Sequence, residues 1–359
     1  MLSLAVHPGQ SNTVHVQEVP TPALQKEGEV LIHGIQAGIC GTDREINEGL
    51  YGTAPAGSEF LILGHESFGE VVSTASSNSK FHLGEKVIRI VRRPCPQGCL
   101  SCRVEQSDHC LTGDFLECGI KQRHGCLVQY FVEEEKYLVP VPPAAESVGV
   151  LMEPMSFVQK VTRRAKIFLG EFLWPPKRAV VVGSGTIGIL QTLVLRSLGV
   201  EVYTVARSPR GSRRSDIVER AGAKYLSAGD RSLKETMGPH FQANLIVEAS
   251  GSAGRVPEAI ELLAPGGVLC LTSITGGHLF SKASWDEINF NLVLGNRTIV
   301  GVVNSNRSDF EQAGRSLESL QNLWPGLPEQ LITKQVDFDS FLQAFQNDPQ
   351  EIKVAIRIP

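Results

Sequence analysis

Four cysteines lie close together in the first third of the chain. Cys95, Cys99, Cys102 and Cys110 follow one another as Cys-x3-Cys-x2-Cys-x7-Cys in a segment rich in proline and glycine. Four thiolates of this kind suit a closed tetrahedral zinc site, in which no position is left for a substrate. The pattern therefore predicts a structural zinc that supplies folding free energy to a segment with little core of its own. Two local disulfides are the alternative, which a reducing compartment disfavours.

A second set of residues could hold a metal ion that keeps one position open. It lies in three runs, Gly38-Ile-Cys40-Gly-Thr42-Asp43, Leu63-Gly-His65-Glu66 and Leu151-Met-Glu153-Pro154. Singly, each has a plain structural interpretation as a buried cysteine, a hydrogen-bonded loop histidine or a solvent-facing glutamate. Together, a thiolate, an imidazole and carboxylate oxygens can build a catalytic zinc site.

A glycine fingerprint follows an apolar run in the second half of the chain. Ala179-Val-Val-Val-Gly183-Ser-Gly185-Thr186-Ile187-Gly188 has the form G-x-G-x-x-G between a predicted strand and a predicted helix. In such a motif the first glycine permits a tight turn, the second lets the backbone approach a pyrophosphate, and the third lets helix and strand pack closely. The amides at the start of the helix attract the diphosphate. The context favours a dinucleotide site over an ordinary turn.

The end of the next predicted strand indicates which dinucleotide binds. An NAD enzyme places Asp or Glu there to accept the ribose 2′-hydroxyl. This chain has Ala206 and Arg207, followed by Arg210, Arg213 and Arg214. Guanidinium groups can pair with a 2′-phosphate, which a carboxylate would repel. We therefore expect NADP as cofactor, with NAD as a possible second acceptor, and a solvated basic loop is the alternative.

The elements that position these residues can be predicted from the apolar pattern. Short β-like runs at 29–33, 68–72, 86–90 and 128–132 predict an irregular, mostly antiparallel β domain. Helical spacing follows from 145 to about 169, and apolar strands at 178–182, 201–205, 243–247 and 268–271 then alternate with helix-like segments. This alternation is typical of a doubly wound parallel sheet, so the fold class is α/β.

Composition excludes several classes of protein. The chain has 359 residues, 42% hydrophobic and 20% charged, which predicts a soluble globular protein of two domains. Its net charge of −4 gives no reason to expect nucleic acid or an anionic membrane as partner. The N-terminus lacks the features of a signal peptide and no apolar run suits a membrane span, so a cytoplasmic location is expected.

The motifs together resemble a known superfamily. Cys40-Gly-Thr-Asp43, Gly64-His65-Glu66, the cysteine segment and the glycine fingerprint resemble the zinc-dependent medium-chain alcohol dehydrogenases. Further runs resemble the glucose 1-dehydrogenase branch, namely Val91-Arg-Arg-Pro94, Glu117-Cys-Gly-Ile120, Tyr137-Leu-Val-Pro-Val-Pro142, Val148-Gly-Val-Leu-Met-Glu-Pro154 and Ile352-Lys-Val354. The resemblance covers essentially the whole chain.

The resemblance implies an architecture and a set of site residues. A GroES-like catalytic domain is expected over residues 1–146, completed by 304–359, with a Rossmann NADP-binding domain over 147–303. Cys40, His65 and Glu66 are implied to hold or exchange around the catalytic zinc, with Glu153 as a direct or water-bridged ligand. Glu117 and Asn304 are implied to contact sugar hydroxyls. Ser250 and Asn304 are also expected at the cofactor.

The implied activity is oxidation of the C1 hydroxyl of an aldose, with D-glucose as the first candidate. Zinc would act as a Lewis acid, hydride would pass to the nicotinamide to leave a lactone, and Thr42 would relay the proton. One alternative is a dehydrogenase of another polyol, cyclitol or sugar alcohol. Another is a non-catalytic dinucleotide-binding protein, which the full set of catalytic residue types disfavours. The resemblance also implies a homo-oligomer, either dimer or tetramer.

Two features depart from the family pattern. Three residues separate Cys95 from Cys99 where the family usually has two. The change affects the spacing of the first two predicted ligands of the structural zinc. Val91 and Phe157 are apolar where some sugar dehydrogenases of the branch carry polar residues. The second change predicts fewer hydroxyl contacts and an altered sugar specificity.

Overall fold

A computed structural model describes residues 1–274 and 284–359 of the chain. The chain divides into two compact units, the first made of Met1–Ser156, Asn304–Gln321 and Pro328–Pro359, and the second of Phe157–Val303 and Asn322–Leu327. Residue 147, where the second domain was predicted to begin, lies inside the first unit. The reason is that the 3-10 segment Pro143–Leu151 packs against strands of that unit.

The first unit begins as a series of short strands. In chain order they are β1 (Leu2–Val6), β2 (His15–Glu18), β3 (Glu29–Ile39), β4 (Leu61–Ile62), β5 (Glu66–Thr74), β6 (Lys86–Arg89), β7 (Arg92–Arg93), β8 (Leu116–Cys118), β9 (Gln122–Arg123), β10 (Tyr130–Glu134) and β11 (Leu138–Pro140). Two short helices interrupt them, α1 (Gly41–Asn47) and α2 (Leu100–Arg103). In β3 the buried residues Val30 and Ile32 alternate with partly exposed ones, the period of a strand with one face on a core.

Helix α3 (Met152–Leu173) leads into the strand–helix alternation of the second unit. Its strands are β12 (Arg178–Val182), β13 (Glu201–Ala206), β14 (Lys224–Ser227), β15 (Ala243–Glu248), β16 (Leu263–Leu271) and β17 (Thr298–Gly301), and its further helices are α4 (Thr186–Ser197), α5 (Arg213–Arg220), α6 (Leu233–Met237), α7 (Arg255–Glu261) and α8 (Trp285–Leu294). The described strands form one sheet in the order β14-β13-β12-β15-β16-β17, with every neighbouring pair parallel. The order reverses beside β12, as in the predicted doubly wound sheet.

The strands of this parallel sheet are apolar along their length because such sheets are covered on both faces. Val180, Ile246 and Leu269 come from three neighbouring strands and belong to one buried cluster. No helix within the described residues is both long and apolar enough to cross a membrane.

The C-terminal part of the chain returns to the first unit. It contains α9 (Arg307–Leu323), β18 (Ile332–Asp337), α10 (Leu342–Phe345) and β19 (Lys353–Arg357). In the part of the chain that the structure describes, the main sheet of the first unit has the order β11-β6-β5-β3-β19-β18, and β10 also pairs with β3. Strand β19 is antiparallel to β3, so the last strand of the chain completes a sheet begun by the first third.

Candidate active site and cofactor sites

The predicted catalytic residues meet at one edge of the main sheet of the first unit. Strand β3 ends immediately before Cys40, and its antiparallel neighbour β5 begins at Glu66, immediately after His65. Strand β19 is also antiparallel to β3 and begins at Lys353. Because the end of one strand lies beside the start of its antiparallel neighbours, all these residues are brought to the same edge.

Cys40 and His65 are in direct contact, and Asp43 holds both. The Cys40 Sγ lies 3.1 Å from the His65 Nε2. The Cys40 amide donates to Asp43 Oδ2 at 3.0 Å, and the Thr42 amide donates to Cys40 Sγ at 3.2 Å, so Cys40 caps α1. Asp43 Oδ1 lies 3.4 Å from His65 Nδ1, the distance of an ion pair rather than of a well-aligned hydrogen bond. Asp43 is fully buried, and its positioning role was not predicted from the sequence.

Glu66 forms a buried ion pair with a residue from the far end of the chain. Lys353 Nζ donates to both carboxylate oxygens of Glu66 at 2.6 Å, and each side chain is only 3% exposed. Burial alone would lower the pKa of Lys353, but the facing Glu66 and the nearby Cys40 outweigh it and raise that pKa. The lysine therefore stays charged. In the sequence, Lys353 stood only within the family run Ile352-Lys-Val354.

Glu153 completes the cluster from the start of α3. Ligand atoms of Glu153, His65 and Glu66 all lie within 4.8 Å of one another. Burial raises the pKa of Glu153 to about 7, and the neighbouring Glu66 adds to this effect against the opposing charge of His65. Burial lowers the pKa of His65, but Cys40 and Asp43 outweigh it and raise that pKa well above its usual range. A bound cation would favour the deprotonated forms of these residues.

This donor set suits zinc. It offers a thiol, an imidazole and a carboxyl group, which are the ligand types of catalytic zinc sites. His65 faces Cys40 with one ring nitrogen and Asp43 with the other. A metal-bound histidine usually has a carboxylate on its second nitrogen in the same way, which fixes the orientation of the ring.

Close packing of glycines positions the segment that carries His65. A Cβ on Gly119 would lie 2.3 Å from the Gly64 carbonyl oxygen, and a Cβ on Gly125 would lie 2.1 Å from the Leu63 carbonyl oxygen. Gly64 itself has a φ of +91°, in the left-handed region. These backbones can approach only because side chains are absent, which brings the strand of Glu117 close to the segment of His65.

The four cysteines of the predicted structural site are also together. We call residues 95–110 the cysteine lobe. The Sγ atoms of four residues all lie within 4.8 Å of one another, namely those of Cys95, Cys99, Cys102 and Cys110. All eight cysteines of the chain are free, so none forms a disulfide. The alternative of local disulfides is therefore not realised. A hydrogen bond from the Leu111 amide is the largest of several effects that lower the pKa of the Cys99 thiol to about 6.

The two predicted sugar-contacting residues are hydrogen-bonded to each other. Asn304 Nδ2 donates to Glu117 Oε1 at 2.8 Å. Arg92, which the sequence offered only as part of a family run, donates to the same oxygen through Nε at 3.0 Å. Glu117 and Arg92 are buried, at 5% and 6% exposed. The structure thus adds an arginine to the predicted pair.

The glycine fingerprint has the geometry its motif predicts. A Cβ on Gly183 would lie 2.5 Å from the Ala249 carbonyl oxygen, and one on Gly188 would lie 2.2 Å from the Gly183 carbonyl oxygen. A Cβ on Gly185 would meet no protein atom within 4 Å. The first and third glycines are thus required by the protein's own packing, whereas the second borders open space, where a pyrophosphate could approach the backbone. Helix α4 begins directly afterwards with Thr186 and Ile187, and Gly185 gives it no side-chain cap.

The basic loop after β13 divides into residues with different surroundings. Ala206 ends the strand, and Arg207 and Arg213 are exposed. Arg214 donates through Nη1 to the Ser184 carbonyl oxygen, inside the glycine fingerprint. Arg210 is engaged elsewhere, since its Nε lies 2.8 Å from Glu219 Oε1. Arg207 and Arg213 are therefore exposed, and Arg210, although also exposed, is paired with Glu219.

Ser250 follows β15 at the same edge of the parallel sheet as the glycine fingerprint. Its amide and its hydroxyl donate to Glu248 Oε1 at 2.8 and 2.5 Å. Strand β15 is the parallel neighbour of β12, so their carboxyl ends lie side by side. Ligands of doubly wound sheets bind at this edge, where the strand order reverses.

Comparison with known proteins identifies relatives over the whole chain. The models "Glucose dehydrogenase C-terminus" and "Alcohol dehydrogenase GroES-like domain" match residues 146–358 and 26–143. The glucose 1-dehydrogenase of Methanocella arvoryzae is 37% identical over 358 residues, covering 100% of this chain and 99% of its own. That of Thermoproteus tenax is 35% identical over 361 residues, with the same coverage. The predicted resemblance is confirmed.

Solved structures agree in fold. The glucose dehydrogenase of Haloferax mediterranei, in complex with NADP, Zn and gluconolactone, has a TM-score of 0.91 at 30% identity and covers 100% of this chain and 99% of that chain. The L-idonate 5-dehydrogenase of Escherichia coli has a TM-score of 0.79 at 23% identity, covering 99% of this chain and 97% of that chain, and shares the fold. The predicted GroES-like domain with a doubly wound Rossmann sheet is thereby confirmed.

Proposed function

The chain belongs to the glucose dehydrogenase branch of the zinc-dependent medium-chain dehydrogenases, and from this membership we propose that it oxidises the C1 hydroxyl of D-glucose to gluconolactone with NADP. The observation that carries the proposal is that Cys40 and Glu153 each place a ligand atom close to His65, at one edge of the main sheet of the first unit. Support comes from the glucose 1-dehydrogenases it resembles, and from the NADP, zinc and gluconolactone bound to its Haloferax relative.

Cys40, His65 and Glu153 are the residues that we assign to the catalytic zinc. Glu66 would exchange into that set only on leaving Lys353, which binds both of its carboxylate oxygens. Zinc held there supplies a Lewis acid that makes a hydroxyl group easier to deprotonate. Asp43 keeps His65 and Cys40 oriented, so the donors are preorganised.

Thr42 is the residue that we assign to proton transfer. It lies two residues after Cys40 in the first turn of α1, and its amide is already bonded to the cysteine sulfur. Its hydroxyl can accept the proton of the C1 hydroxyl and donate its own onward, because a hydroxyl is both donor and acceptor.

Substrate recognition is assigned to Glu117, Glu153 and Asn304. A carboxylate and a side-chain amide together accept and donate hydrogen bonds, as a sugar with neighbouring hydroxyl groups requires. Val91 and Phe157 supply no polar atom from their side chains. We therefore expect fewer hydroxyl contacts than in relatives with polar residues there.

NADP binding is assigned to the fingerprint and to the loop after β13. The diphosphate is assigned to the fingerprint residues Gly183, Gly185, Thr186, Ile187 and Gly188. The adenosine ribose and its 2′-phosphate are assigned to the loop residues Ala206, Arg207, Arg213 and Arg214. The rest of the cofactor is assigned to Ser250 and Asn304. NADP accepts the hydride when it is bound. The absence of a carboxylate at Ala206 is the support for NADP over NAD, with NAD accepted less well.

The remaining assignments concern the organisation of the protein. We assign catalysis to the first unit, which includes Glu153, NADP binding to the second unit, and a structural zinc to Cys95, Cys99, Cys102 and Cys110. The eight free cysteines and the absence of a candidate membrane helix among the described residues support a cytoplasmic location.

We also propose that the protein is a homo-oligomer. Helix α8 contains no buried residue, and its Trp285, Phe290 and Val293 are 73%, 62% and 66% exposed. Among the described strands, β17 ends the parallel sheet and so presents an unpaired backbone edge. A monomer seldom leaves such apolar surface uncovered. Light scattering on the purified protein should give the mass of a dimer or tetramer, and the mass of one chain would exclude the proposal.

The experiment that tests the function is a substrate panel. Values of kcat/KM with NADP would be measured for D-glucose, other aldoses, sorbitol, myo-inositol and an aminosugar alcohol. We expect D-glucose to give the highest value and the polyols to be at least about tenfold poorer. A polyol or cyclitol as the best substrate would replace the proposal with that alternative. Zinc and NADP binding without turnover of any of them would indicate a non-catalytic protein.

A further inference from the structure

Several hydrogen-bond donors converge on a single oxygen of Glu117. Arg92 approaches Oε1 with Nε at 3.0 Å and Nη2 at 2.9 Å, and Asn304 Nδ2 approaches the same atom at 2.8 Å. None of these hydrogen bonds reaches Oε2. One oxygen of this carboxylate is therefore saturated by the protein, and the other is left for a different partner.

The Arg92 guanidinium is itself fixed from several sides. Its Nη1 donates to the Asp108 carbonyl oxygen at 3.3 Å, in the cysteine lobe. Its Cζ lies over the Phe115 ring, 3.6 Å from the ring centre. Arg92 and Glu117 are also opposite each other in the β7–β8 pair. Every nitrogen of the planar fork is thus engaged, which limits the orientations that Arg92 and Glu117 can take.

Glu117 is buried, and its charge acts on a half-exposed neighbour, Tyr51. Tyr51 is 48% exposed, and the loop after it is bonded to the β8–β9 turn through Thr53, whose amide donates to the Ile120 carbonyl oxygen at 3.0 Å. Partial burial raises the pKa of Tyr51, and the negative charge of Glu117 adds to the effect. We therefore expect a small polar molecule to reach the carboxylate from the side of Tyr51.

We propose that Arg92 is a positioning residue that sets sugar specificity, because it holds Oε1 of Glu117 and leaves Oε2 as the oxygen of this carboxylate that accepts from a substrate hydroxyl. This inference rests on the proposed function, in which Glu117 contacts the sugar. An acceptor oxygen held in one direction can accept a hydrogen bond from a sugar hydroxyl in one configuration, but not from the same hydroxyl in the epimeric sugar. A carboxylate free to rotate would serve both, so loosening it should reduce discrimination between epimers.

Lysine cannot replace arginine in this role. Its ammonium is a flexible point donor, whereas the guanidinium fork binds one oxygen through two nitrogens and a carbonyl through the third. Arg92→Lys keeps the positive charge beside Glu117 and removes only the fixed geometry. It therefore separates an effect of charge from an effect of position.

The test compares Arg92→Lys and Arg92→Met with Glu117→Gln and with the double variant Arg92→Met/Glu117→Gln. The measured quantities are KM and kcat for D-glucose and for its C2, C3 and C4 epimers, KM for NADP, and gluconolactone affinity by calorimetry without turnover. The control is Lys121→Met, which removes the other cation on the Phe115 ring and leaves the Glu117 carboxylate contacts intact.

We expect Arg92→Met to raise the KM for glucose and weaken lactone binding by about tenfold to a hundredfold, the range for a charged hydrogen bond. The kcat and the KM for NADP should change by less than about threefold. Arg92→Lys should reduce the preference for glucose over one epimer more than over the other two. In the Glu117→Gln background, Arg92→Met should change the glucose KM by less than about threefold, because its only route to the sugar is already removed.

Additive effects of the two substitutions, an equal loss for all epimers, or a parallel loss of NADP affinity would overturn the inference. If Arg92→Met does not fold, the cycle is completed with Arg92→Lys, and additivity there has the same meaning. A wild-type protein that does not oxidise glucose would refute the proposed function. A wild type that oxidises glucose but shows an additive cycle refutes only the role of Arg92.

Discussion

At the scale of single residues, the assignment of the catalytic metal depends most on Cys40. Its sulfur lies 3.1 Å from His65 Nε2 and takes part in capping α1. Cys40→Ala removes a ligand and should lower kcat by more than about a hundredfold, while the affinity for NADP stays nearly intact. Zinc content by atomic emission should fall by one ion per chain.

The matched control for this prediction is Cys270→Ala, a buried cysteine on β16 in the second unit. It should retain both zinc and turnover. Near-normal oxidation by Cys40→Ala, with full zinc content, would show that the metal assignment is wrong.

The choice of cofactor is also decided by few residues. A charged hydrogen bond between Arg207 and a 2′-phosphate is worth about 1.5–3 kcal/mol, or about tenfold to a hundredfold in affinity. Arg207→Ala should therefore raise the KM for NADP by that factor and barely change that for NAD. Ala206→Asp should go further, because a carboxylate repels the phosphate and accepts from the ribose hydroxyl.

Arg210→Ala is the control from the same loop, since Arg210 pairs with Glu219. It should leave both KM values unchanged. A wild type that prefers NAD, or an Arg207→Ala variant that weakens both cofactors equally, would mean that the loop is a solvated surface.

Residues with distinctive chemistry could be predicted from the sequence, and their supporting partners could not. Cys40, His65 and Glu153 stand in motifs and meet at one edge of a sheet. The ion pair of Lys353 with Glu66 joins residues 287 positions apart, so it depends on β19 returning to β3. Asp43 and Arg92 likewise act through contacts that only the folded chain creates. To predict these partners, one would have to know which strands pair, because the residue types alone do not indicate the contacts.

At the scale of elements, the turn between β12 and α4 makes two different demands on its glycines. A Cβ on Gly185 meets no protein atom within 4 Å, whereas one on Gly188 would lie 2.2 Å from the Gly183 carbonyl oxygen. Gly185→Ala should change the free energy of unfolding by less than about 0.5 kcal/mol. It should weaken NADPH binding on the order of tenfold or more, because the methyl group occupies the space of the pyrophosphate.

Gly188→Ala is the contrasting variant at the same turn. Overpacking should lower its free energy of unfolding by about 1–3 kcal/mol. Denaturant unfolding and NADPH fluorescence titration measure the two quantities separately. If Gly185→Ala binds NADPH as the wild type does, the turn does not hold the diphosphate.

Three strands of the parallel sheet, β12, β13 and β15, were predicted to within one residue at each end, because continuous apolar runs between glycines leave few alternatives. Strand β16 begins at Leu263, five residues before its predicted start, and β14 and β17 were not predicted. The predicted strand 178–182 is β12 (Arg178–Val182), and 201–205 differs from β13 by one residue. Strand β3 is longer than predicted, since it continues through Gly34 and Gly38 to Ile39. Glycines weaken the apolar pattern of a strand, but here Gly34 permits the close approach of the Val128 backbone, and Gly38 leaves room for the Glu66 side chain.

At the scale of the whole molecule, two separate sets of ligands should give two zinc ions per chain. The catalytic set lies at the edge of the main sheet, and the four cysteines form a closed cluster of their own. Mild chelation should remove activity before it lowers the melting temperature, because the open site exchanges its metal faster. Simultaneous loss of activity and fold would argue against two distinct sites.

The measurement that tests the central claim most directly follows the hydride itself. The protein would be incubated with zinc, NADP and D-glucose carrying deuterium at C1, and both products examined by mass spectrometry. Oxidation at C1 predicts one deuterium on the reduced nicotinamide, a gluconolactone without deuterium, and a slower turnover than with unlabelled glucose. Reduced cofactor without deuterium, or no reduction at all, would contradict the assignment of this protein as a glucose 1-dehydrogenase.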